Sequence, residues 1–225
     1  MGASAGRLGW RPQAPAPVPG HGLVAGTDER LGLSVVRDGV LYIPDTASAG
    51  APVMLFLHGA GGTGRRELRA IVAAADRVGA VIVAPDSRGV SWDIFERGFG
   101  PDVEFIDRVL TSVGDRCDVD FGRLAVGGIS DGATYALSLG LSNGDLFGSI
   151  IAFSPGGVAV QELVGKPRLF FSHGTQDPIL PIDSCSRVLV PNLREGGYDV
   201  TYREFDGGHT VPPVIADEAL RWWVQ

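Results

Sequence analysis

The sequence predicts an α/β protein, a three-layer sandwich whose mostly parallel sheet begins with an antiparallel hairpin. Three observations carry this. The apolar runs at 53–57 and 80–84 show no alternation, as expected of strands buried on both faces. Segments with apolar residues at helical spacing lie between successive runs, which is the strand–helix–strand pattern of a parallel sheet. Near the N-terminus, apolar stretches at 31–36 and 40–43 instead flank Asp38-Gly39, a two-residue turn signal that joins antiparallel neighbours.

The elements follow in order. Residues 1–28 are rich in Pro, Gly and Ala, and prolines lack the donor that a ladder needs. They read as an arm outside a single domain at 29–225, either laid over the surface with Trp10 as anchor or left exposed. After the hairpin and a loop at 45–52 comes the strand 53–57. A helix is expected over 65–78, with Leu68, Ile71, Val72 and Ala75 on one face. The strand 80–84 ends at Pro85. Residues 87–100 are irregular and carry Trp92, Phe95 and Phe99. Pro101 suits the first turn of a helix over 101–116, with Val103, Ile106, Val109 and Leu110 facing inward. A strand at 124–126 leads into a helix from Ala133 that stops at Asn143-Gly144. Strands are expected at 149–153 and 169–172, and a helix at 182–195 that Pro191 should kink or split. An alternating edge strand at 200–205 and a helix over 211–224, packed through Val214, Leu220 and Trp223, complete the chain. The connection after 153 is too short for a sizeable helical lid.

Bulk properties narrow the function. A chain of 225 residues suits one domain with a full core. A net charge of −7, with both signs interspersed, argues against nucleic acid or an anionic membrane surface as the main partner. No apolar stretch is long enough to span a bilayer, and residues 1–20 lack the apolar core of a signal peptide, so the expected location is the cytoplasm. Cys117 and Cys185 show no metal-binding spacing and read as free thiols, with one disulfide left open. Oligomeric state is open between monomer and homodimer.

The chemistry centres on Gly128-Ile129-Ser130-Asp131-Gly132, between the strand 124–126 and the helix that follows. This G-x-S-x-G spacing presents a serine at the tip of a sharp strand-to-helix turn, with glycines where a Cβ would collide. The helix then aims its free N–H groups at the point where acyl transfer develops negative charge. A serine nucleophile needs a histidine base, and the base an orienting carboxylate. Of the four histidines, His209 lies in the loop after the strand 200–205, whereas His21 sits in the arm and His173 reads as a brace for its own loop. Asp177, one strand earlier, is the carboxylate in the order Ser, Asp, His. Asp183 and Asp206 are the other candidates. Two N–H donors are needed for the oxyanion, and these are expected from Asp131 and from Ala60 in the loop His58-Gly59-Ala60-Gly61-Gly62. Trp92, Ile179 and Leu180 follow strand ends on the same side and are candidates to line the substrate pocket, although Trp92 could equally pack beneath a loop. The expected partner is a small-molecule ester, and the mechanism calls for neither a metal nor an organic cofactor.

These motifs, with Ser91-Trp92-Asp93, Gly100-Pro101-Asp102-Val103 and His173-Gly174-Thr175-Gln176-Asp177, resemble those of the α/β-hydrolase superfamily. Within it, residues 40–225 are similar to the small, lidless phospholipase/carboxylesterase group and to polyhydroxybutyrate-depolymerase-like esterases. The resemblance implies a carboxylesterase, including lysophospholipase- or thioesterase-like activities, with short acyl groups favoured. It makes Ser130 nucleophile, His209 base and Asp177 orienter, with Ala60 and Asp131 as oxyanion donors. An acyltransferase or peptidase with the same triad, or a non-catalytic binding protein on this scaffold, stays open. One departure stands out: many relatives carry Gln, Met or Asn after the nucleophile. Here a carboxylate, Asp131, would oppose the oxyanion unless it points away or is paired.

Overall fold

The structure, a computed structural model, describes residues 6–12, 26–96 and 98–225. Its strands are β1 (Asp28–Arg30), β2 (Gly39–Tyr42), β3 (Ala51–Leu57), β4 (Val81–Pro85), β5 (Val119–Ile129), β6 (Ser149–Phe153), β7 (Arg168–Gly174) and β8 (Val200–Phe205). They form one sheet in the order β1-β2-β4-β3-β5-β6-β7-β8. The β1–β2 and β2–β4 pairs are antiparallel, and every later pair is parallel.

Two cores, one on each face, explain the unbroken apolar runs. Side chains alternate along a strand. Val53, Leu55 and Leu57 therefore join Val83, Val126 and the helices α3 (Pro101–Arg116), α4 (Asp131–Ser142) and α5 (Ser186–Glu195). Met54 and Phe56 join Ile82, Ala125 and the helices α1 (Gly64–Leu68), α2 (Val72–Val78) and α6 (Pro213–Val224). Each fully buried Leu or Phe contributes about 1.5–3 kcal/mol by leaving water. The sheet is thereby fixed, and the loops at the carboxyl ends of β3, β4, β5, β7 and β8 share one rim.

Four local expectations need correction. The first hairpin strand lies at 28–30, not 31–36, and Asp38-Gly39 is not its turn. The Asp38 carboxylate is buried and accepts N–H bonds from Gly32, Leu33 and Ser34 at 2.8–3.1 Å, folding 31–38 into a compact loop. The helix over 65–78 is two helices, because Ala70 N and Ile71 N bond three residues back, to Glu67 O and Leu68 O, and tighten the chain. Helix α5 begins at Ser186 rather than 182 and runs through Pro191 without splitting. Val214 is 69% exposed; the inward face of α6 is Ile215, Ala216, Ala219, Leu220 and Trp223.

Residues 6–12 lie against the domain. Leu8 is buried, Trp10 packs edge-on to Phe121 at 4.6 Å, and Gly9 N and Trp10 N each donate to Asp107 at 2.9 Å. The rest of the proline-rich arm, including His21, lies outside the described residues. Asn143, fully buried at the end of α4, ties this segment down: it accepts from Leu8 N (2.9 Å) and donates to Gly6 O (2.7 Å) and Leu139 O (2.8 Å). Asn143→Ala strands these buried groups and is expected to cost about 2 kcal/mol. The check is a lower urea midpoint at unchanged slope; an unmoved midpoint would refute it.

Candidate active site

Strand β5 turns into α4 at Ser130, whose φ of 58° lies in the left-handed region that L side chains avoid. Such a residue carries about 1–3 kcal/mol of strain, held in place by its surroundings. Here Ser130 N donates to Phe153 O at 3.0 Å, and Thr134 N bonds back to Ser130 O at 3.0 Å. The flanking glycines are obligatory on steric grounds. A Cβ on Gly128 would stand 2.5 Å from Gly132 C, and one on Gly132 would stand 2.1 Å from Leu57 O.

Beyond β7 and β8 the structure brings His209 and Asp177 together. His209 Nδ1 lies 2.6 Å from Asp177 Oδ2. Asp177 Oδ1 accepts from Ile179 N and Leu180 N, both at 2.9 Å. Burial works to raise the Asp177 carboxyl, but the Leu180 N–H, His209 and the Ile179 N–H outweigh it and hold the group below the usual carboxylate range. An ionised Asp177 can only accept, so His209 carries its proton on Nδ1 and leaves a lone pair on Nε2. Close packing fixes the two loops: Thr175 N donates to Phe205 O and Gln176 N to Gly207 O, both at 2.9 Å. Among the described residues no hydrogen bond joins His209 to Ser130 Oγ.

The loop after β3 abuts the serine, since a Cβ on Gly59 would lie 3.3 Å from Ser130 Cβ. Its root is braced by His58, which is fully buried. Ser87 N donates to His58 Nε2 at 2.9 Å, so the proton sits on Nδ1 and is donated to Gly59 O at 2.7 Å. Burial holds His58 below the usual histidine range against the Gly59 bond, which keeps the ring neutral. Arg37 ties the same region together, donating to Gly62 O (3.1 Å), Ser87 Oγ (3.2 Å) and Ser87 O. Within the loop, Gly61 N bonds Val90 O at 2.8 Å and Gly62 N bonds Gly59 O at 3.0 Å. Among the described residues Ala60 N and Asp131 N have no acceptor. The Asp131 carboxylate takes a hydrogen bond from Ser91 Oγ at 2.6 Å.

Of the three proposed pocket residues, Trp92 is placed as a support and not as a lining. It is 0% exposed, stacks between His58 (4.9 Å) and Tyr135 (5.0 Å), and donates from Nε1 to His58 O at 2.8 Å. Ile179 is exposed and Leu180 half-buried, both on the Asp177 turn. Sequence reasoning missed Arg37, the Ser91–Asp131 contact and Glu67. Burial raises the Glu67 carboxyl against a backbone hydrogen bond from Gly59 and the attraction of Arg66 and His209. Only the Ser-Trp-Asp motif carried any signal for these. Among the described residues no group of three His, Cys, Asp or Glu is placed to hold a metal ion, and Cys117 and Cys185 are buried free thiols.

No protein-family model matches the sequence, and no curated protein does. Solved structures do. Esterase PE8 is 25% identical with a TM-score of 0.70, over 84% of this chain and 98% of its own. The chain is an α/β-hydrolase. Two further α/β-hydrolase structures match at lower identity. The carboxylesterase of Bacillus cereus is 20% identical (TM-score 0.64, 85% of this chain and 95% of that one). The S-formylglutathione hydrolase of Staphylococcus aureus is 16% identical (TM-score 0.72, 93% of this chain and 100% of that one). The likeness of this α/β-hydrolase to esterase PE8 supports ester hydrolysis by a serine hydrolase. Among the described residues no helix is long and apolar enough to cross a membrane.

Proposed function

We propose that this protein cleaves small carboxylic esters through an acyl-enzyme on Ser130. The observation that carries the reading is the bond from His209 Nδ1 to Asp177 on the rim where Ser130 sits in its strained turn. Ser130 Oγ attacks the carbonyl, and the free Nε2 of His209 takes the proton. Asp177 keeps Nδ1 protonated and stabilises the imidazolium. The N–H groups of Ala60 and Asp131 receive the oxyanion, each donor contributing about 3 kcal/mol. His209 returns the proton to the leaving alcohol, and water repeats the attack on the acyl-enzyme. The Ser130–His209 bond closes as substrate enters, in keeping with the loose catalytic hydrogen bonds of unliganded enzymes. Ser91 turns the Asp131 carboxylate to its own hydroxyl, leaving the Asp131 N–H to the oxyanion.

A preference for short acyl groups is supported by the connection between β6 and β7. It contains no helix and is stitched to α4 by Gly156 N to Thr134 Oγ1 and Ala159 N to Ser138 Oγ, both 2.9 Å. Ile179 and Leu180 border the acyl group. A fluorophosphonate probe should label the protein once, at Ser130, and leave Ser130→Ala unlabelled. Across p-nitrophenyl esters, kcat/KM should fall from butyrate to palmitate. Absence of an adduct on Ser130 would remove the mechanism, and a preference for palmitate would remove the short-acyl assignment.

A further inference from the structure

His173 has no part in the chemistry above, yet three polar atoms converge on its ring, which is wholly shielded from solvent. Nδ1 lies 2.7 Å from Ser186 Oγ at the start of α5. Nε2 lies 2.8 Å from Leu180 O and 3.3 Å from Asp177 Oδ2. A carbonyl and an ionised carboxylate only accept, so the ring proton is on Nε2 and the Ser186 hydroxyl donates to Nδ1. Burial keeps the ring below the usual histidine range, against the pull of the Leu180 carbonyl and Asp177, so it is neutral. A core histidine kept for packing needs only two satisfied nitrogens. This one directs its single N–H into the turn that carries the proposed orienting carboxylate.

We infer that His173 is a positioning residue for the acid–base pair: its Nε2–H closes the 177–180 turn and shares Asp177 Oδ2 with the base, fixing the plane of the carboxylate. The inference rests on the reading of Ser130, His209 and Asp177 as the triad. Leu180 is gripped at both ends, its N–H by Asp177 Oδ1 and its carbonyl by His173. Ile179 N and Leu180 N bond Oδ1 and His209 bonds Oδ2, while His173 Nε2, whose hydrogen bond goes to Leu180 O, stands 3.3 Å from Oδ2. Without His173 the carboxylate can rotate and the turn can open, so the base loses its aim. Among the described residues, Glu204 on β8, itself paired with Arg187 of α5, acts electrostatically with His173, and Glu67 on α1 with His209.

The test compares His173→Leu, which removes the donor, with His173→Gln, whose amide N–H reaches to a similar depth, and with Ser186→Ala, which releases only the far side of the ring. All are assayed on p-nitrophenyl butyrate across pH beside the wild type. In His173→Leu, kcat is expected to fall about tenfold or more, as for a reacting group displaced by under 1 Å, with KM within about twofold. The kcat/KM profile against pH should also depart from that of the wild type, since the N–H that stands 3.3 Å from the carboxylate is gone. His173→Gln should regain most of kcat, and Ser186→Ala should show a smaller loss in the same direction. A folded His173→Leu protein with wild-type kcat and pH profile overturns the inference, as does a glutamine variant no better than leucine. If the leucine variant does not fold, wild-type kcat and profile in Ser186→Ala overturn it. A wild type that turns over no ester overturns the triad reading and this inference with it, a result distinct from a variant that matches an active wild type.

Discussion

Asp177→Asn is expected to lower kcat by about 10⁴-fold while the protein stays folded. The reason is tautomeric. Ile179 N and Leu180 N both donate to Oδ1 at 2.9 Å, so the asparagine must place its carbonyl oxygen there. Its NH₂ then replaces Oδ2, facing His209 Nδ1. Two donors cannot share a hydrogen bond, so His209 moves its proton to Nε2 and offers Nδ1 as acceptor. The nitrogen meant to take the Ser130 proton already holds one, and the base is disabled with little change in shape. The opposite amide orientation is worse, since it sets NH₂ against two backbone N–H groups. His173, whose N–H lies 3.3 Å from Oδ2, adds a further repulsion. Steady-state kinetics and near-UV circular dichroism separate the outcomes: a native spectrum with kcat within tenfold of wild type would show that Asp177 does not set the tautomer.

The parts of this arrangement that could be read in advance are those with local causes. Ser130 and its glycines were legible because a strand-to-helix turn with a strained serine tolerates no Cβ on either side, and the demand is written within five residues. Asp177 and His209 were legible because polar loops after strand ends face one rim in a parallel sheet. What failed depended on how a side chain is used rather than on local composition, often with partners distant in sequence. Asp38-Gly39 has the composition of a hairpin turn, yet Asp38 is 2% exposed and serves as an acceptor for the backbone of 32–34. Trp92 follows a strand end as a pocket residue would, but His58 and Tyr135 enclose it, and neither is its neighbour in the chain. The bearing of the Asp131 carboxylate was undecidable because Ser91, its partner, is 40 positions away. Val214 was misplaced by a single step of helical phase, too small for periodicity alone to resolve in α6. His173 read as a loop brace, and its bond to Ser186, which holds the ring near Asp177, depends on how α5 returns over β7.

The second large effect concerns a residue with no side chain. In Gly132→Ala the new Cβ would stand 2.1 Å from Leu57 O and 2.5 Å from both Leu57 C and His58 O. These are backbone atoms, so no rotamer change relieves the clash, and ordinary contact requires a shift of roughly 1 Å. Helix α4 cannot retreat, because every residue from Gly132 to Ser142 is buried. Strand β3 cannot slide, because Leu57 is paired with Gly128 in the ladder. The displacement therefore falls on the two ends that can yield, the His58-Gly59 turn and the Ser130 elbow. Both carry the proposed chemistry. Stability is expected to drop by about 3 kcal/mol, the upper end for an added methyl in a packed core. kcat should fall about 10²-fold in whatever remains folded, as for a 1 Å error in placing reacting groups. Gly148→Ala is the control: it is exposed, its φ is not positive, and a Cβ there meets nothing within 4 Å. It should change stability by no more than about 0.5 kcal/mol. Urea melts of both variants, with kinetics on the folded fraction, decide the matter: equal stability and equal turnover would mean that the approach of α4 to β3 does not hold the serine and the oxyanion loop in register.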